Sequence, residues 1–163
     1  LTDESIKAVA TGCASLTSLK LLNGRDDESK FTDESIIAVA AGCTSLTSLE
    51  VYCGYELTGL ELREPHERVD KGRPGCASLA SLDVTKCRNL SDDSMKAVAA
   101  GCTSLTSLNT GYNSNITGDE SIKAVAASCA SLEVLNLGGC DDLTDESIKA
   151  LAVGCAALKE LTT

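Results

Sequence analysis

Aromatic residues are almost missing from this chain of 163 residues: they make up 2% of it, and there is no tryptophan. A core without large rings has to be assembled from Leu, Ile, Val, Ala and Cys in thin, regular layers. Histidine is scarce too. The only one, His66, lies among Glu64, Glu67, Arg68 and Asp70, and a lone imidazole without a nucleophile or metal-ligand partners makes no catalytic centre. No C-x-x-C pair and no phosphate-binding glycine loop occurs. The acidic groups Asp26-Asp27-Glu28 and Asp141-Asp142 read as solvated loop residues. No catalysis, no metal and no cofactor is therefore expected. Positive charge is also short, with 14 Lys and Arg against 24 Asp and Glu and a net charge of −10. Nucleic acid and anionic membranes attract clustered Lys and Arg, so neither is an expected partner. No apolar run approaches the roughly 20 residues of a membrane span.

Cysteine, by contrast, is abundant, at nine residues. An odd count recurring at fixed positions suits small buried hydrophobes with weak S–H donors better than a disulfide framework. Reduced, metal-free thiols and an intracellular, reducing compartment are expected. Cys13, Cys43, Cys76, Cys102, Cys129 and Cys155 follow one another at intervals of 30, 33, 26, 27 and 26 residues. The basic unit is thus 26 residues, lengthened in the first two intervals. A fixed period of about 20–50 residues marks a repeat array, whose stability needs about three units.

The first unit shows the logic. Thr2 is a good N-cap, and Asp3 and Glu4 place negative charge at the positive end of a helix. That helix is predicted over 3–11, stopping at Gly12, with Ile6, Val9, Ala10 and Cys13 on its inward face. Lys7 sits three residues after Glu4 on the outer face. Leu19-x-Leu21 then marks a short strand with one buried side. Later units copy this pattern, with an enlarged loop at 25–31 and one extra residue at Gly118. Strand, helix and strand in succession predict a parallel sheet with right-handed crossovers. One unit departs: residues 59–75, with Pro65 and Pro74, replace the expected helix with an irregular insertion.

Two stretches carry a resemblance. Leu132-x-x-Leu135-x-Leu137-x-x-Cys140-x-x-Leu143-Thr144-Asp145 and Leu79-x-x-Leu82-x-Val84-x-x-Cys87-x-x-Leu90-Ser91-Asp92 resemble the cysteine-containing class of leucine-rich repeats. The resemblance implies an α/β, right-handed leucine-rich-repeat solenoid, a horseshoe arc with a parallel concave β-sheet and convex helices. It spans residues 1–163 as one array of about six partial or complete repeats. It further implies a non-catalytic protein-interaction module, and possible roles include substrate recognition in F-box-like ubiquitin-ligase adaptors. It also places Cys87 and Cys140 in a buried turn where the side chain satisfies neighbouring backbone, a position held by Gly24, Gly54 and Asn113 in other units. The alternative is a structural or scaffold subunit. Leu1 begins inside a repeat and Thr163 ends part-way through a strand, so a larger chain or complex is expected around the array.

Strand alternation sends residues flanking the buried leucines to the concave surface. A nearly uniform column, Ser18, Ser48, Ser81, Ser107 and Val134, is followed by two variable ones. The first is Lys20, Glu50, Asp83, Asn109 and Asn136; the second is Leu22, Tyr52, Thr85, Gly111 and Gly138. With Tyr112 beside Gly111, these variable residues form the expected partner-binding strip, and Tyr52 is its anchor. On the convex side, Ile37 replaces the lysine found at Lys7, Lys96, Lys123 and Lys149, giving an apolar patch next to the missing helix.

Overall fold

The computed structural model describes residues 2–22, 32–52, 76–87, 90–116, 118–140 and 142–163. The insertion at 59–75 with His66, the loop at 25–31 with Asp26, Asp27 and Glu28, and Gly24, Cys53, Gly54 and Asp141 lie outside the described residues. The elements among the described residues are α1 (Asp3–Gly12), β1 (Ser18–Leu22), α2 (Asp33–Gly42), β2 (Ser48–Tyr52), β3 (Ser81–Asp83), α3 (Asp92–Gly101), β4 (Ser107–Asn109), α4 (Asp119–Ser128), β5 (Val134–Asn136), α5 (Asp145–Gly154) and β6 (Glu160–Thr162). The strands form one parallel sheet in chain order, with Ser18, Ser48, Ser81 and Ser107 in register.

Each helix is 10 residues long, too short to persist alone. Packing supplies the stability. Ile36, Val39 and Ala40 of α2, Met95, Val98 and Ala99 of α3, and Ile122, Val125 and Ala126 of α4 share one core with the strand leucines Leu49, Leu82, Leu108 and Leu135. Thr32, Ser91 and Thr144 cap their helices as expected, accepting the backbone N–H two residues on, each at 3.2 Å, whereas Thr2 precedes α1 without a side-chain cap hydrogen bond. The helices run one residue past the expected end, through the glycine of α1, because the Cys13 N–H still reaches the Val9 carbonyl at 2.9 Å.

A second capping system links the units. The Asp3 carboxylate accepts the Thr32 N–H at 3.0 Å, its hydroxyl at 2.8 Å and the Ser35 hydroxyl at 2.5 Å. Asp33 does the same for Ser91 and Ser94, and Asp119 for Thr144 and Ser147. The first residue of each of these helices thereby caps the next helix. Asp92 is the weaker rung: Gly118 offers no hydroxyl, and only its N–H reaches Asp92, at 3.1 Å.

The helix layer is continuous between the described units on either side of residues 59–75. α2 packs directly against α3, and Asp33 caps Ser91, 58 positions away. Cys76, which follows no described helix of its own, turns to α2. Its N–H reaches the Ala40 carbonyl at 2.6 Å, and its thiol donates to Val39 at 2.9 Å and Cys43 at 2.7 Å. The Ala40 carbonyl is thus satisfied from the following unit, and Val39, which already accepts the Cys43 N–H, gains a second donor.

The cysteines stack in parallel. The Cys129 thiol donates to the Cys102 carbonyl at 3.7 Å and the Cys155 thiol to the Cys129 carbonyl at 3.7 Å. None of the described cysteines is in a disulfide. Cys13 corrects the expectation of an inward residue: it is exposed, and Val9 is only half-buried, because no described unit lies in front of α1 to cover them. In the following turns, Cys87 donates to Val51 at 3.3 Å, Cys140 to Thr110 at 3.6 Å, and Asn113 Nδ2 to Val84 at 2.8 Å and Thr110 at 3.0 Å.

Candidate partner-binding site

The sheet has a core side and an open side. In β2, Leu49 and Val51 are buried, while Glu50 and Tyr52 are exposed. Lys20 and Glu50 sit opposite each other in the parallel register and form an ion pair, so their charges cancel at the surface. Leu22 is paired with Tyr52 through the backbone ladder.

From β3 to β5 the equivalent residues form a polar row, with Asp83 opposite Asn109 and Asn109 opposite Asn136. Each Oδ1 accepts from the residue two positions on. Asp83 Oδ1 accepts the Thr85 N–H at 2.9 Å and its hydroxyl at 2.6 Å. Asn109 Oδ1 accepts the Gly111 N–H at 3.1 Å and Asn136 Oδ1 the Gly138 N–H at 2.9 Å. Asn109 Nδ2 donates to Asp83 Oδ2 at 3.2 Å. These side chains are held in place, so little rotamer entropy remains to be lost on binding.

β3 and β4 are three residues long, but ladder hydrogen bonds continue past them, from the Val84 N–H to Asn109 and the Thr110 N–H to Asn136, each at 2.9 Å. Gly111 is buried because the Asn109 and Asn136 side chains of the open face lie over it, within 3.3–3.5 Å of where its Cβ would stand. Thr85 is half-exposed. Beyond β4, Tyr112 is 60% exposed and Tyr52 43%, so neither of these rings fills the core. Tyr112 adopts a left-handed backbone with φ 61°, as do its counterparts Lys86 (φ 62°) and Gly139 (φ 74°) in the neighbouring turns. The Lys86 ammonium lies 5.6 Å from the Tyr112 ring centroid. On the other side the ring leans over Gly139, where a Cβ would stand 3.1 Å from Tyr112 Cδ1.

The structure brings Lys20 to Glu50 and aligns Asp83, Asn109 and Asn136, with Tyr112 on an adjoining turn. Ile37 lies apart on α2 and is half-buried. Lys86, Gly139 and Glu160 were missed as site neighbours. Glu160 was legible, because it continues the serine column opposite Val134; the positive φ of Lys86 and Tyr112 had no sequence signal.

The buried cysteines Cys76, Cys102 and Cys129 offer no nucleophile. Burial pushes the Cys102 thiol up to about 12 and those of Cys76 and Cys129 to about 11, with smaller contributions from neighbouring thiols. Such thiols stay protonated and unreactive. Among the described residues, no group of His, Cys, Asp and Glu is placed to hold a metal ion, and no helix is long and apolar enough to cross a membrane.

A family model described as Leucine Rich repeat matches residues 128–152, the stretch from the end of α4 through β5 into α5. Alternating helices and strands in one parallel sheet, together with this match, fit an α/β leucine-rich repeat fold. Such repeats are generally non-catalytic protein-interaction modules. No curated protein matches the chain.

Proposed function

We propose that the chain is a protein-binding solenoid whose partner lies on the open face of the sheet. Packed helices need about 8–10 Å between axes, whereas strands need about 4.7–4.9 Å. A unit with one strand and one helix therefore curves with its sheet side concave. Across the direct α2–α3 contact two strand steps match one helix step, so the arc flattens there. Right-handed crossovers follow from the general rule for parallel strands.

The observation that carries the binding reading is the placement of Tyr52 and Tyr112, large and exposed in a chain with 2% aromatics. Exposed, fixed tyrosines are typical interface anchors. Lys20, Glu50, Asp83, Thr85, Asn109 and Asn136 complete the surface, and the side chain of Leu22 lies outside the described residues. An adaptor role of the F-box kind rests on the resemblance of the Leu132–Asp145 pattern, and a reducing intracellular compartment rests on the free cysteines. Partner capture from the native source tests the reading. Tyr52→Ala and Glu50→Lys should each reduce capture; unchanged capture by both would remove the open face from the account.

A scaffold reading draws on a different surface. Ile6, Ile36 and Ile122 are buried by the next helix, but the equivalent Ile148 is 36% exposed and Leu161 37%. That apolar layer fits a neighbour stacked against α5 and β6. Ile148→Glu should then break an assembly that Tyr52→Ala leaves intact.

A further inference from the structure

We propose that the open face between β3 and β6 takes an extended protein segment with two basic side chains four residues apart, one for Asp83 and one for Glu160. The inference rests on the reading of this face as the partner surface and adds the chemistry of the partner.

The groove here is lined by Asp83, Ser107, Asn109, Asn136 and Glu160 among others, with two carboxylates and no cation. Neighbouring acids are already neutralised, Glu50 by Lys20 and Glu133 by Lys159 at 2.9 Å. Among the described residues no cation reaches Asp83 or Glu160. Asp83 is oriented by Thr85 and Asn109, and a carboxylate with about four acceptor sites has room for a further donor.

Their spacing selects the ligand. Asp83 is opposite Asn109, Asn136 and Thr162 in turn, and Glu160 lies two residues before Thr162. Three strand steps of about 4.8 Å and one two-residue step of about 6.7 Å put the two acids on a diagonal of about 16 Å. One cation cannot bridge that distance. An extended chain advances about 3.3–3.6 Å per residue, so residues four apart span about 13–14 Å, point to the same side, and reach both acids through flexible basic side chains. Between them, the Asn136 Nδ2 has no partner among the described residues and can donate to a backbone carbonyl of the segment. Tyr112, fixed between Lys86 and Gly139, supplies apolar area at the rim.

The test is fluorescence anisotropy with labelled nine-residue peptides at low salt, since surface charge is screened by added ions. In a serine background, lysines four apart should bind about tenfold more tightly than adjacent lysines, and glutamates four apart should not bind. Asp83→Asn with Glu160→Gln should abolish the spacing preference. Glu120→Gln with Glu146→Gln, the same change in charge on the helix face, should leave it intact. Glu160→Gln alone removes no observed hydrogen bond and keeps the test valid if Asp83→Asn loosens its turn. Equal binding of both lysine spacings, equal losses from the two double variants, or full displacement by equimolar spermine would overturn the proposal. If Tyr52→Ala still abolishes partner capture while the Asp83 and Glu160 variants do not affect it, the open-face reading stands and only the basic segment falls.

Discussion

Adding one methyl group at Gly154 should loosen α5 from α4. A Cβ at this position would lie 2.1 Å from the Ala126 carbonyl oxygen and 2.7 Å from its carbon. Both are backbone atoms and cannot rotate away, so the helices must separate. Gly42 repeats the geometry, 2.5 Å from the Ala10 oxygen. Gly12, at the equivalent place in α1, has nothing within 4 Å and serves as the control. Overpacking costs about 1–3 kcal/mol, while replacing a strain-free glycine by alanine stabilises by about 0.4–1 kcal/mol. Gly154→Ala and Gly42→Ala should therefore lose roughly 1–2 kcal/mol net, and Gly12→Ala should lose nothing. In a repeat array the loss falls on the nearest interface. Urea unfolding followed by far-ultraviolet circular dichroism gives the total, and hydrogen exchange should show faster exchange in 145–154 for Gly154→Ala. Equal stability of Gly154→Ala and Gly12→Ala would refute the close approach.

Other consequences are open to measurement. Of the described cysteines only Cys13 should react quickly with a thiol reagent at neutral pH in the folded protein, and all nine should react once it is denatured; a deficit after denaturation would contradict the reduced state. Asp119 is held down to about 2 by the Ser147 hydroxyl, then by the hydroxyl and N–H of Thr144. Its folded value lies below the unfolded one, so its contribution to stability is present above about pH 4 and disappears as the pH falls toward 2. Carbon NMR titration should find Asp119 rising toward the ordinary range in Ser147→Ala, and no change would dismiss the hydrogen bond as the cause. Asn113→Ala removes two buried hydrogen bonds, to the carbonyls of Val84 and Thr110, and should cost about 1–3 kcal/mol. Asn113→Cys should cost less in the same melts, because Cys140 fills the equivalent place by donating to Thr110; equal costs would count against that equivalence.

The repeat pattern was legible because the signals agree from unit to unit: an N-cap, two acids, an apolar stripe, a closing Gly-Cys and alternating leucines. Links between units were harder to read. Asp3, Asp33, Asp92, Asp119 and Asp145 all open helices, which local rules explain through the helix dipole. That the same carboxylate caps the next helix depends on packing, although strict aspartate at this place beside variable Glu or Asp at the next was a usable hint. The role of Cys76 at the end of α2 had no local signature. Nor did the close approaches at Gly42 and Gly154, since Gly12 has the same sequence context and touches nothing. On the open face, alternation placed Asp83, Asn109 and Asn136 in one row. It did not show that the Asn109 and Asn136 side chains cover Gly111.

Site-specific photo-crosslinking tests the central claim most directly. With a benzophenone amino acid in place of Tyr52 or Tyr112, partner adducts should form, whereas the same group in place of Lys96 or Lys149 on the helix face should give none. Adducts confined to the helix face would contradict the account.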